Sequence, residues 1–328
     1  CVSKKGWNKA SNRAKIDHVA HVFYQLLDND ADGVPDDPAV LKEMVDGGYL
    51  LWVPATEDDA EKAGEWPEDV GRDQMTGIFQ SVPGSCDSPA NRGADPEDRS
   101  TWAAAVENTA DCGESDATTE EILHLITEAA VSLWPDLWGD SFQSAAGAAL
   151  AEANGDCGWG DTKDWKNPGS NKCTGRYAYN DKTCKEQCLV VEGIYWASIS
   201  YIGGLYYKER MDNISNEWLM GTPDVGMPLY PKGKKNAASL QEGSPALYGL
   251  VSDTTSEGHA WLPEIMPDGR YKGVPKEPDG CAAESKKSKC KKKTGCGWRE
   301  KCKLCISFKK KACQKSKGTC KWSKGKCS

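Results

Sequence analysis

Apolar residues recur at helical spacing near the start of the chain. Ile16, Val19, Val22, Phe23, Leu26 and Leu27 share one face, which predicts an amphipathic helix over residues 8–27. Pro38 suits the first turn of a second helix over 39–45, which Gly47-Gly48 would stop. Short apolar runs at 49–53 and 76–82 read as strands. Residues 118–133 repeat the helical period most clearly, and 141–153 form a helix of small residues. Residues 185–211 are apolar on nearly every face and read as one long buried helix. Glu192, Ser198, Ser200, Gly203 and Gly204 break that run too often for a membrane span. Two further short runs, 246–251 and 261–265, read as strands. The elements add up to an α+β fold with a predominantly helical body.

Composition changes the picture at one end. The formal net charge is −8, but residues 281–328 hold 17 Lys and Arg against Glu284 and Glu300. That segment carries +15, and the remainder carries −23. The division predicts two domains, an acidic body over 1–280 and a basic Cys-rich tail over 281–328. The tail is an internal repeat. Cys281-x8-Cys290-x5-Cys296-Gly-Trp298-x3-Cys302 is followed by Cys305-x7-Cys313-x6-Cys320-Lys-Trp322-x4-Cys327. Units this short bury too little apolar surface to fold unaided, so two disulfides each is the natural reading. Zinc fits less well, because no His lies in either unit and the one CxxC, Cys302 to Cys305, bridges them.

Fifteen cysteines point to an oxidising compartment, hence a secreted or extracellular chain, with cell-surface attachment compatible. Beginning at Cys1 without a leader, it reads as a processed product. Sequence proximity pairs 86 with 112, 157 with 173 and 184 with 188, leaving Cys1 free, lipidated or bonded to another chain.

Between the first two helices lies the densest chemical signal, Asp28-Asn29-Asp30-Ala31-Asp32-Gly33-Val34-Pro35-Asp36-Asp37. Calcium needs six to eight hard oxygen ligands on a sharply turning backbone. Asp28, Asp30 and Asp32 offer side chains, Gly33 permits the turn, Val34 offers its carbonyl, and Asp36 holds the ninth place. The twelfth place is Ala39, where an EF-hand has a bidentate Glu, so Glu43 or Asp37 is the expected substitute. A solvated acidic turn is the plain alternative.

A second signal opens the central helix, Thr118-Thr119-Glu120-Glu121-Ile122-Leu123-His124. Glu120 and His124 are one turn apart, so the segment is a zincin-like HExxH with Glu for the first His. Zn2+ held by Glu120, His124 and Glu192, with Glu121 as catalytic base, would make a metalloprotease-like site. The plain alternative is that Thr118 and Glu121 form a capping box, His124 sits in core, and Glu192 pairs with Arg or Lys. His18 and His21 with Asp17, or His259 in its loop, could add metal ligands. No phosphate-binding loop or dinucleotide fingerprint is present, which argues against nucleotide enzymes. Thirteen Trp read as core first and as sugar platforms second.

In the tail, Lys291, Lys292, Lys293, Lys309, Lys310 and Lys311 interleave with Trp298, Phe308 and Trp322. This pattern suits an anionic polysaccharide, cell wall or matrix partner, or assembly of the chain with itself. The leading expectation is a secreted Ca2+-binding surface or matrix protein. An extracellular zinc hydrolase is the alternative. Three segments, Leu27 to Gly33, Glu120 to Ile126 and Tyr177 to Gly204, together resemble an uncharacterised family of secreted proteins, mostly from marine microbes. The resemblance covers about residues 10–275 and leaves out the tail. It implies that these segments belong to one body and brings no activity with it.

Overall fold

The computed structural model describes residues 10–53, 75–77, 117–205, 214–221, 238–267 and 269–271, and short strands between 296 and 327. The chain divides into two compact units, residues 1–30 with 35–271 and residues 31–34 with 272–328. The described part is predominantly helical with little strand.

In the first unit, α1 spans Ala10–Leu27 and buries Val19, Val22 and Leu26. Helix α2, Pro38–Gly47, starts and stops for local reasons. Asp37 accepts the N–H groups of Ala39 and Val40 at 2.9 and 3.2 Å, and Pro38 supplies the first turn. Gly48 closes the helix in the left-handed region with φ of 70°. Strand β1, Leu50–Trp52, runs parallel to β2, Met75–Gly77, with Leu50 opposite Met75.

Helix α3, Thr118–Leu133, has the bounds its periodicity predicts. It buries Ile122, Leu123, Leu125, Ile126, Ala129 and Ala130, and packs on α1, α2 and a second long helix over Glu186–Ile202. A short α4, Pro135–Trp138, leads to α5, Ala145–Asn154. Ser144 caps α5 by accepting the Gly147 N–H at 2.9 Å.

Helix α6 spans Glu186–Ile202 and buries 13 of its 17 residues. Gly193 lets α5 approach it, since a Cβ there would fall 2.3 Å from a methyl of Leu150. The predicted run to 211 is too long. The helix ends at Gly203, whose φ of 80° closes it with bonds to the Ile199 and Ser200 carbonyls.

Two short helices, α7 (Ala238–Gly243) and α8 (Pro245–Ser252), pack against α6. The strand expected over 246–251 is therefore a helix. Ser244 accepts the Leu247 N–H and Pro245 fills the first turn, a start signal that outweighs the short apolar run. The strand expected over 261–265 is a turn instead. Trp138 and Trp261 both donate their indole N–H to the Gly258 carbonyl there, at 2.6 and 3.0 Å. Trp138, Trp196, Trp218 and Trp261 are all buried, so the core reading of these tryptophans holds. Disulfides join Cys157 to Cys173 and Cys184 to Cys188, the pairs that sequence proximity predicts.

In the second unit, β3 (Cys296–Trp298) lies between β4 (Cys302–Leu304) and β5 (Lys317–Gly318), antiparallel to both. Strand β6 (Trp322–Ser323) pairs antiparallel with β7 (Lys326–Cys327). The predicted disulfides of the tail, the pairing of 86 with 112, and the six lysines at 291–293 and 309–311 lie outside the described residues.

Candidate functional site

Among the described residues three groups of potential ligands form in the first unit; in one, Asp156 with Cys157 and Cys173, both cysteines are taken up by their disulfide, which leaves two. One lies where α1 runs out. Asp28 still donates its N–H to the Tyr24 carbonyl at 2.8 Å, then the chain turns through the acidic segment. Asp28, Asp30 and Asp36 bring one oxygen each to within 4.8 Å of one another, an arrangement that could hold a metal ion. These are three of the five predicted ligands. Asp32 accepts the Val34 N–H at 2.8 Å through one carboxylate oxygen.

Asn29 fastens this loop to a distant segment. Its side-chain oxygen accepts the N–H groups of Glu264 and Ile265 at 2.6 and 2.7 Å. Its amide nitrogen donates to the Gln25 and Ile265 carbonyls at 2.9 and 3.0 Å. Its own N–H reaches Asp36 at 2.6 Å, and the Tyr271 hydroxyl bonds to Asp28. Burial raises the Asp36 carboxyl to about 6; the Asn29 N–H opposes this, and Asp30, Asp28 and Glu264 add to it. A cavity of about 400 Å3 adjoins the group, lined by Asp30, Asp36, Thr254, Leu262, Glu264 and Ile265.

Of the two substitutes expected for the missing twelfth-place Glu, Asp37 is spent as the cap of α2. Glu264 lies at the loop instead, bonded to the Thr254 hydroxyl at 2.7 Å. Nothing in the sequence marks Glu264, because its approach depends on how Asn29 pairs with a segment 235 residues away.

The other group joins α3 to α6. Thr118 is the first residue of α3 and is buried, while Ala117 occupies the cap position without a side-chain bond. The capping box of Thr118 and Glu121, the plain alternative, does not form. Glu120 and His124 stand one turn apart on α3, and Glu192 comes from α6. Their ligand atoms all lie within 4.8 Å of one another. His124 Nε2 is 3.6 Å from Glu192 Oε2, with the two side chains 15% and 16% exposed. Both of those atoms are buried and neither has a hydrogen-bond partner. Where the sequence allowed an Arg or Lys beside Glu192, the basic side chain that meets it among the described residues is His124. The Tyr195 ring meets His124 edge-on at 5.4 Å and orients the imidazole.

Burial raises the Glu192 carboxyl to about 8, and Glu121, Glu217 and Asp181 add to the effect. The Tyr177 and Tyr179 phenols are pushed up as well, first by burial and then by Glu192. Tyr179 and Glu217 escaped the sequence reading. They reach the site because Ala178 donates to the Glu217 carbonyl at 2.8 Å and Tyr177 bridges to Trp218, a pairing with no local motif.

The remaining histidines take structural positions. His21 Nδ1 bonds the Gly269 carbonyl at 2.9 Å, and His18 packs against the same glycine. His259 is buried against the edge of Trp138. Among the described residues no helix is long and apolar enough to cross a membrane. The chain matches no protein-family model, no curated protein and no solved structure.

Proposed function

We propose that the chain is a secreted calcium-binding protein of a cell surface or matrix. In this reading calcium staples the end of α1 to the rest of the body, and the basic Cys-rich tail attaches the protein to an anionic polymer. The observation that carries it is the meeting of Asp28, Asp30 and Asp36 within 4.8 Å of one another. Three like charges that close repel unless a cation or protons neutralise them. The ligands are all oxygen, which suits a hard cation, and their loop is irregular, which favours calcium over strictly octahedral magnesium. Two disulfides fit an oxidising compartment.

Thermal melting tests the staple. Calcium at about 100 times its Kd adds about 2.7 kcal/mol. In a chain of this size that raises Tm by roughly 4–5 °C. Magnesium at the same concentration should do much less, and a double change of Asp30→Asn and Asp36→Asn should abolish the calcium effect. Identical melting in excess EGTA and in millimolar calcium would sink the proposal.

A further inference from the structure

We propose that Glu120, His124 and Glu192 are the protein ligands of a zinc centre with an open water position, and that Glu121 activates that water against a peptide carbonyl. This goes beyond the calcium staple and does not depend on it. The donors come from two helices and still meet, with all three ligand atoms within 4.8 Å of one another.

The spacing is informative. At 3.6 Å, His124 Nε2 and Glu192 Oε2 are too far apart for a hydrogen bond. Zinc bonds of about 2.0–2.1 Å at tetrahedral angles set neighbouring donor atoms about 3.4 Å apart. The pair sits close to the edge of such a tetrahedron.

The two atoms are also orphans. Buried polar atoms nearly always have a partner, yet Nε2 and Oε2 are buried with none. Two such atoms facing each other across a gap mark the place of a third party that accepts lone pairs from both. One imidazole and two carboxylates suit a borderline cation such as zinc, whereas calcium prefers oxygen throughout. Three protein ligands leave the fourth position for water, the pattern of a hydrolytic rather than a structural zinc site.

Zinc would polarise the carbonyl and acidify the water bound beside it. Glu121 adjoins the ligand Glu120 in the first turn of α3. It takes the proton of the water. The water oxygen bonds to the carbonyl carbon, and the carbonyl oxygen becomes negative. Glu121 then passes the proton to the amide nitrogen and the C–N bond breaks, leaving an acid and an amine. Water is the only co-reactant.

The test uses the full chain, stripped by chelation and titrated with zinc by calorimetry. Wild type should bind one zinc more than His124→Ala or Glu192→Gln, or bind it roughly 100-fold tighter or more. Circular dichroism checks each fold, and Glu192→Gln keeps the shape of the side chain if His124→Ala fails to fold. Glu121→Gln should keep the zinc. With cobalt(II) in place of zinc, acetohydroxamate should shift the visible bands of wild type and of Glu121→Gln, but not of Glu192→Gln. Cleavage of labelled casein should fall about 10²–10⁴-fold in Glu121→Gln. Equal zinc uptake by wild type and both ligand variants overturns the site. Uptake without an acetohydroxamate response makes the site closed and overturns the hydrolytic role. Intact casein beside an open site overturns peptides as the substrate.

Discussion

A carboxylate in a helix that buries 13 of its 17 residues must either give up its charge or find a cation. Glu192 does the first when it stands alone, since burial lifts its carboxyl to about 8 and so keeps it protonated at neutral pH. Asp253 shows the opposite case. It is only half-buried, and its carboxylate accepts from the Ser256 hydroxyl and from the N–H groups of Thr255 and Ser256. Those bonds, led by the Ser256 hydroxyl, hold its acidity well below the ordinary carboxylate value. A depressed folded value contributes stability above the unfolded value of about 3.9, and that stability is lost as pH falls toward the folded one. Asp253→Asn should therefore melt earlier than wild type at pH 7 and pH 5. The gap should close below about pH 4, and melts from pH 7 to 2 would show it. A gap that widened in acid would contradict the assignment. At this scale the α3–α6 group was legible because a four-residue spacing and one acid in an apolar run are local facts. Tyr179 and Glu217 were not, because their places depend on a pairing made across the fold.

Elements were legible in proportion to how well their pattern was bounded. The two faces of α3 differ, so its period and its ends could both be read. Helix α6 is apolar all round, which hides the period, and its end had to come from Gly203. The short run inside α8 fits a strand and a helix equally well, and Ser244-Pro245 decides between them. The start of α5 rests on Ser144 in the same way. Its hydroxyl accepts from Gly147 and donates to the Gly139 carbonyl at 2.7 Å, and it is buried. Ser144→Ala removes a cap and leaves a carbonyl short of a donor, a cost of about 1–3 kcal/mol. Urea unfolding should show a lower midpoint with an unchanged slope. A loss under about 0.5 kcal/mol would mean that the cap bond contributes little.

Across the whole chain, charge is divided more sharply than mass. Residues 281–328 carry +15 and the rest carries −23. Attachment through the tail then has a simple signature. The full chain should be retained on an anionic polysaccharide such as heparin and released by salt, because screening shortens the reach of its lysines. Changing Lys291, Lys292, Lys293, Lys309, Lys310 and Lys311 to Gln should shift elution to clearly lower salt without altering the calcium-dependent melt. Unchanged elution would take the attachment role away from these residues. The division of charge was plain in the sequence, since it needs only counting.

The bonds from Asn29 to Glu264 and Ile265 set an order of events on the ribosome. They link positions 235 and 236 residues apart, so α1 can be made and wound long before the partner of its final turn exists. Closing so wide a loop is entropically costly, and contacts of that range come late in folding. The first helix can pack on α3 well before this, but the loop at its end is thus among the last parts to be fastened down. Until then, synthesis leaves an acidic end waiting for a strap that has not yet been translated.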